Sequence, residues 1–249
     1  MTQKTMVITG GNRGIGLCIT KAYVEAGYYV VVGARQENGL KERFEENVEF
    51  VPFDVREESD HSRLVSAALE KSGQLNVYIN NAGFSEWRPI EDIDDQFLDN
   101  LIATNLKGAF WGCKAASSVM HEGGCIVNIS SIAGKRGSAN NSAYCASKFG
   151  MNGLTQALAK ELGPRGIRVN ALCPVLVPTD GLIEALKSPL SPAKGNPEEF
   201  IENFKNANAA LGRLPTGDEI AAISLLLVSG NASAITGQCI NVDCGVFPQ

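Results

Sequence analysis

The stretch Met6-Val7-Ile8-Thr9-Gly10-Gly11-Asn12-Arg13-Gly14-Ile15-Gly16 carries the reading of the whole chain. A short apolar, β-branched run passes through a glycine-rich turn into a segment of helical period, Ile15–Ala26. Glycine suits this turn because the backbone must bend tightly and let a ligand approach with no Cβ in the way. The helix that follows presents unpaired N–H groups and the positive end of its dipole, which together hold phosphate oxygens. Such a turn points to a dinucleotide pyrophosphate only between a strand and a helix, and that is its place here. Gly10, Gly14 and Gly16 are spaced Thr-Gly-x-x-x-Gly-x-Gly, unlike the Gly-x-Gly-x-x-Gly of the common dinucleotide fold. Asn12, Arg13 and Ile15 share the loop and are expected to bind the same cofactor.

Outward from the loop, apolar runs alternate with helical patterns. Strands are expected at Met6–Thr9, Tyr29–Gly33, Glu49–Pro52, Val77–Asn80, Cys125–Ile129, Arg168–Leu172 and Gln238–Val242. Helices are expected near Ile15–Ala26, Gly39–Glu46, Ser59–Lys71, Asp94–Met120, Tyr144–Leu162 and Asp218–Leu227. The strand runs are continuously apolar, which indicates burial on both faces. Strand–helix alternation then predicts an α/β fold: a doubly wound parallel β-sheet of the Rossmann type, flanked by helices on both faces. No linker or internal repeat divides the chain, so a single domain over 1–249 is expected. Pro174 to Leu214 breaks the rhythm with repeated prolines and one short helix around Glu198–Ala210. This insertion, about 180–212, is expected to form a substrate lid over the carboxyl ends of the strands.

Bulk properties exclude several classes. A net charge of -5 leaves no basic excess for nucleic acid. Apolar runs such as Ile223–Val228 fall far short of the roughly 20 residues that span a bilayer. Met1 to Gly10 runs straight into strand and loop, without the apolar core and cleavage site of a secretory signal. Cys18, Cys113, Cys125, Cys145, Cys173, Cys239 and Cys244 include no Cys-x-x-Cys pair and are read as reduced thiols of a cytoplasmic protein. His61 and His121 are the only histidines, so no metal site is expected.

Tyr144-Cys145-Ala146-Ser147-Lys148 opens a long helical segment, and positions four apart share a helix face. A free Tyr titrates at about 10, too high to shuttle protons at neutral pH. A nearby ammonium, with the positive ring of an oxidised nicotinamide, is expected to stabilise the phenolate and lower that value. A shift of about 3 units requires roughly 4 kcal/mol. Gly124-Cys125-Ile126-Val127-Asn128-Ile129 runs up a buried strand into Ser130 and Ser131, thirteen residues before Tyr144. Side chains alternate along a strand, so the two serines point apart. Asn105, in Asn105-Leu106-Lys107-Gly108, sits inside the longest helical pattern, where an Asn can disturb the ladder and hold a water.

Glycine loop, paired serines and Tyr-x-x-x-Lys, in this order, resemble the short-chain dehydrogenase/reductase family over essentially the whole chain. The gap between Gly10 and Gly14 is similar to that of its single-domain branch, which includes 3-oxoacyl-carrier-protein reductases. The longer nucleotide-sugar epimerases instead read Thr-Gly-x-x-Gly-x-x-Gly. The resemblance implies hydride transfer between a nicotinamide cofactor and a small-molecule carbonyl or secondary alcohol. By the same resemblance Ser131, Tyr144, Lys148 and Asn105 are catalytic. Ser131 would bond the substrate oxygen, Tyr144 act as general acid/base, and Asn105 hold a water that links Lys148 to solvent. Lys148 would steady the phenolate and, like Tyr144, touch the cofactor. The resemblance also puts Asp54 and Val55 at the adenine, and Asn81, Ala82 and Gly83 beside the cofactor. Pro174, Val177 and Thr179 would meet its carboxamide and pyrophosphate.

An acid at the end of the second strand, roughly 20 positions after the loop, would select NAD. Ala34 stands there instead, Arg35 follows, and Glu37 lies beyond the strand end. Arg13 and Arg35 suit a 2′-phosphate, so NADP(H) is favoured over NAD(H). The sequence departs from the family at Val175, where glycine is usual, and at Cys244, within the usual Asp-Gly-Gly. A β-branched residue at 175 does not readily take positive φ, so an altered turn is expected there. Phe84, Trp87, Lys135, Arg136 and Asn141 are pocket candidates. A homotetramer or homodimer through the helices of Asn105 and Tyr144 is implied by the resemblance. Alternative functions are a NAD-dependent sugar or polyol dehydrogenase and a catalytically inactive nicotinamide-sensing protein.

Overall fold

The computed structural model describes residues 3–248. Met1, Thr2 and Gln249, which the 1–249 domain and the reading of the chain's start include, lie outside the described residues. Among the described residues the strands are β1 (Thr5–Thr9), β2 (Tyr29–Ala34), β3 (Val48–Pro52), β4 (Val77–Asn80), β5 (Cys125–Ile129), β6 (Arg168–Pro174) and β7 (Cys239–Val242). They form one parallel sheet in the order β3-β2-β1-β4-β5-β6-β7. The order reverses between β1 and β4, so the loops leaving their carboxyl ends part and open a crevice.

The helices are α1 (Gly14–Glu25), α2 (Leu40–Phe44), α3 (Glu58–Ser72), α4 (Asp95–Ile102), α5 (Gly108–Val119), α6 (Ser142–Leu162), α7 (Asp180–Leu186), α8 (Pro197–Asn208) and α9 (Gly217–Val228). The continuous hydrophobicity of the strands has a direct cause. Met6, Ile8, Val30 and Val32 pack with Ile19 and Tyr23 of α1 and Ile220 and Leu227 of α9. Their neighbours Val7 and Val31 face the other way, onto Leu64 of α3, Ala116 of α5 and Leu162 of α6. The sheet is therefore covered on both sides, as its sequence pattern requires.

Three expectations change. The single helix expected over Asp94–Met120 is split into α4 and α5 by a five-residue π-helical turn, Ala103–Lys107. Asn105 lies in that turn and turns its amide out to the backbone of Phe84, accepting from its N–H at 3.0 Å and donating to its carbonyl at 2.8 Å. A side chain committed in this way accompanies the widened turn, the disturbance its sequence position suggests. The insertion holds a further helix, α7, begun by the Thr179 hydroxyl, which accepts from the Leu182 N–H. β6 continues to Pro174, and the Val175 N–H still donates to the Val242 carbonyl at 3.4 Å.

Candidate active site

At the sheet reversal, hydrogen bonds lock two loops together. The Asn81 amide donates to the carbonyls of Thr9 and Gly10, both at 3.0 Å. The Thr9 hydroxyl accepts from the backbone N–H groups of Asn81 and Ala82. Gly10 holds a φ of 67°, and a Cβ at Gly16 would stand 2.1 Å from the Gly10 carbonyl oxygen. Only glycine lets α1 start this close to the strand end. No side chain caps α1, so its first N–H groups remain free for an anion. Asn12 ties the loop down instead, donating to the Gln36 carbonyl at 2.7 Å. A bare cradle ending in an uncapped helix fits a dinucleotide pyrophosphate.

A cleft of about 1650 Å³ runs from this cradle to the insertion. Gly10, Asn12, Arg13, Gly14, Ile15, Arg35, Asp54, Val55, Asn81, Ala82, Gly83, Pro174, Val177 and Thr179 all line it, whereas Gly16 and Asn105 lie beneath. At the cradle end Arg13 and Arg35 are exposed beside the buried Ala34. Glu37 does not line the cleft: its carboxylate accepts from the Lys41 N–H at the start of α2. Asp54 is gripped by Arg56, whose Nε donates to it at 3.0 Å, and this hydrogen bond holds the carboxyl below its usual range. Arg56 lines the cleft too. The sequence reading passed over it, although a basic residue two after Asp54 was its available signal.

The catalytic candidates converge from three places: the end of β5, the start of α6 and the π-helical turn. Ser131 follows β5; its hydroxyl accepts from the Ala133 N–H at 3.1 Å and reaches the Pro174 carbonyl at 3.5 Å. It also lies near enough to the phenol of Tyr144, at the start of α6, to lower that group's pKa. Lys148, one turn further on, is 4% exposed; its ammonium donates to the Ile129 carbonyl at 2.8 Å and lies 5.7 Å from the Tyr144 ring centroid. A Cβ on Gly83 would stand 3.1 Å from Asn105 Oδ1 and 3.9 Å from Lys148 Nζ, so these three groups are neighbours. Ser130 turns to the Lys148 carbonyl, as alternation requires.

The electrostatics depart from expectation. Burial pushes the Tyr144 phenol up to about 12, against the lowering effect of its Ser131 hydrogen bond. Burial also pulls the Lys148 ammonium down to about 8. The ammonium gives its hydrogen bond to Ile129, and desolvation governs the phenol in the protein alone.

At the insertion end, Phe84, Trp87, Arg136 and Asn141 line the cleft, but Lys135 does not. Trp87 is buried against Leu186 and Ala193, while Leu182, Ala185, Phe200 and Phe204 face the cleft from α7 and α8. Val175 avoids positive φ and packs with Ile132, Leu214 and Val246. Cys244 takes a φ of 54°, in the left-handed region that a glycine adopts without cost. No group of acidic, His or Cys side chains among the described residues is arranged to hold a metal. No described helix is long and apolar enough to cross a membrane.

Residues 10–247 match the family model described as enoyl-(acyl carrier protein) reductase. The chain is 34% identical over 257 residues to the L-2,3-butanediol dehydrogenase of Corynebacterium glutamicum, covering 98% of each. It is 35% identical over 258 residues to a 3-oxoacyl-(acyl-carrier-protein) reductase of Chlamydia muridarum, spanning 99% of this chain and 98% of that one. Levodione reductase superposes with a TM-score of 0.91 at 30% identity, covering 98% of both chains. A variant of actinorhodin polyketide ketoreductase, solved with NADPH, superposes with a TM-score of 0.89 at 32% identity, covering 98% of this chain and 97% of that one.

Proposed function

Because the chain belongs to the short-chain dehydrogenase/reductase family and is an oxidoreductase of C=O and CH–OH groups, we propose that it works with NADP(H) and uses Tyr144 as its general acid and base. One observation carries the proposal. The Tyr144 phenol lines one cleft with Ser131 and with Lys148, whose buried ammonium lies 5.7 Å from the Tyr144 ring centroid.

The nicotinamide, when bound, supplies the hydride in reduction and accepts it in oxidation. The protein's part is position and charge. A substrate oxygen seated between Ser131 and Tyr144 takes a hydrogen bond from the Ser131 hydroxyl, which gives up its long contact to Pro174. Negative charge grows on that oxygen, and Tyr144 delivers its proton there. The phenolate left behind is offset by the Lys148 ammonium four residues along the same helix face. Asn105, next to Lys148 and Gly83, would hold a water through which Lys148 reaches solvent. Pro174, Val177 and Thr179 would keep the nicotinamide half of the cofactor in place, and Asp54 and Val55 its adenine.

Arg13 and Arg35 would grip the 2′-phosphate of NADP(H). Ala34 offers no acid to repel it, and Glu37 is turned to α2. The NADPH of the actinorhodin ketoreductase structure is in keeping with this choice. Phe110 on α5 and Phe149 on α6 are about half exposed, which suits a homodimer or homotetramer formed through those helices in the cytoplasm. The test is carbonyl-dependent loss of nicotinamide absorbance with NADPH and with NADH. NADPH should be preferred by about 10-fold or more in kcat/KM, as charge-assisted bonds to a phosphate imply. Arg13→Ala and Arg35→Ala should each erode that preference. A preference for NADH, or no carbonyl-dependent turnover with either, contradicts the proposal.

A further inference from the structure

The two ends of the cleft differ in chemistry, and we infer that the preferred substrate is an uncharged ketone, or its alcohol, whose carbonyl carries an apolar, ring-sized group. This rests on the hydride-transfer reading above. Beyond Ser131 and Tyr144 the wall is built from Phe84, Leu176, Leu182, Ala185, Phe200 and Phe204. Each of these side chains is half-buried in the protein alone, so its remaining apolar surface is what a bound molecule would cover. The wall is also firmly held. Phe200 and Phe204 stand one turn apart on α8 with ring centroids 5.8 Å apart, and α7 is anchored by Leu186, fully buried against Trp87.

Several polar groups at this end are already engaged, while Ser85 and Asp180 also line it. The Asn141 amide donates to the Ser138 hydroxyl at 3.4 Å, and Asn141 Oδ1 is unpaired but sealed below the surface. The Glu184 carboxylate is paired with Lys187 at 2.8 Å, and the Arg136 guanidinium stacks over the Phe247 ring at 5.4 Å. A sugar would thus leave several hydroxyls without partners against apolar surface, which is unfavourable. An anionic substrate would meet Arg136 together with the carboxylates of Asp180 and Glu184, with no net attraction. An apolar ring gains from every part of the wall it covers, and one well-buried group of that size changes kcat/KM by roughly 10- to 200-fold.

The test compares kcat/KM at saturating NADP(H) for an aryl or alicyclic ketone, a 3-oxo carboxylate and, in the oxidative direction, an aldohexose. The ketone should exceed both others by about 30-fold, within the range that one buried apolar group provides. Phe200→Ser should shrink that margin mainly through KM. An equal or higher efficiency with the aldohexose or the oxo acid overturns the assignment and leaves hydride transfer standing. Turnover of none of the three by folded wild-type protein overturns the assignment together with the reading beneath it.

Discussion

Lys148 is a cation sealed inside the protein, and burial brings it down to about 8. The exposed side chain titrates at about 10.4. Between these values the unfolded chain binds a proton that the native state does not. Stability should therefore rise with pH from about 8 to about 10.4, and the burden of the buried charge is fully felt below about 8. Lys148→Met should abolish turnover yet raise the Tm of the cofactor-free protein at pH 7, by about 2–6 °C at this chain length. The gain should shrink at pH 10. Thermal melts at the two pH values check this, and a lower Tm at pH 7 contradicts it. The residues of this site were legible in the sequence to different depths. Ser131, Tyr144 and Lys148 stand out because order and spacing along one strand and one helix bring them together. Lys135 and Arg56 were misjudged or missed because both sit in loops, where neither strand alternation nor helix period fixes where a side chain points.

At the scale of elements, α1 is placed by a single contact. A methyl group on Gly16 would meet the Gly10 carbonyl oxygen at 2.1 Å and the Asn81 amide at 2.5 Å. Neither partner can yield cheaply, since Asn81 holds the loops from β1 and β4 together. Gly16→Ala should cost about 1–3 kcal/mol, as overpacking does, and weaken NADPH binding by displacing the first turn of α1. Denaturant unfolding and a fluorescence titration with NADPH read the two effects; unchanged stability and affinity would contradict this account of the loop. The strands and most helices follow from local pattern. The π-helical turn around Asn105 does not, because its partner Phe84 lies twenty-one residues away on another loop. Helix α7 escaped notice for the opposite reason. It has seven residues between prolines, too short to show a period, and only its Thr179 cap announces it.

Over the whole molecule, two halves of one parallel sheet diverge at β1 and β4, and everything with chemical potential lies along that line. The glycine loop comes from the β1 end, Ser131 from the β5 end, and the insertion after β6 lines the far side. This convergence was readable because right-handed βαβ connections leave few ways to arrange such a chain. The substrate end was not readable, since it depends on how α7 and α8 lie on Trp87 and on the C-terminal segment. Both ends serve Tyr144, which stands where they meet. The most direct measurement is ketone-dependent oxidation of NADPH by Tyr144→Phe beside the wild type, with NADPH affinity measured for both. The phenyl ring keeps the packing and removes only the hydroxyl. Turnover should fall by about 10³-fold, the scale of a lost general acid, while NADPH still binds. Turnover within a few-fold of wild type would show that Tyr144 is not the proton donor.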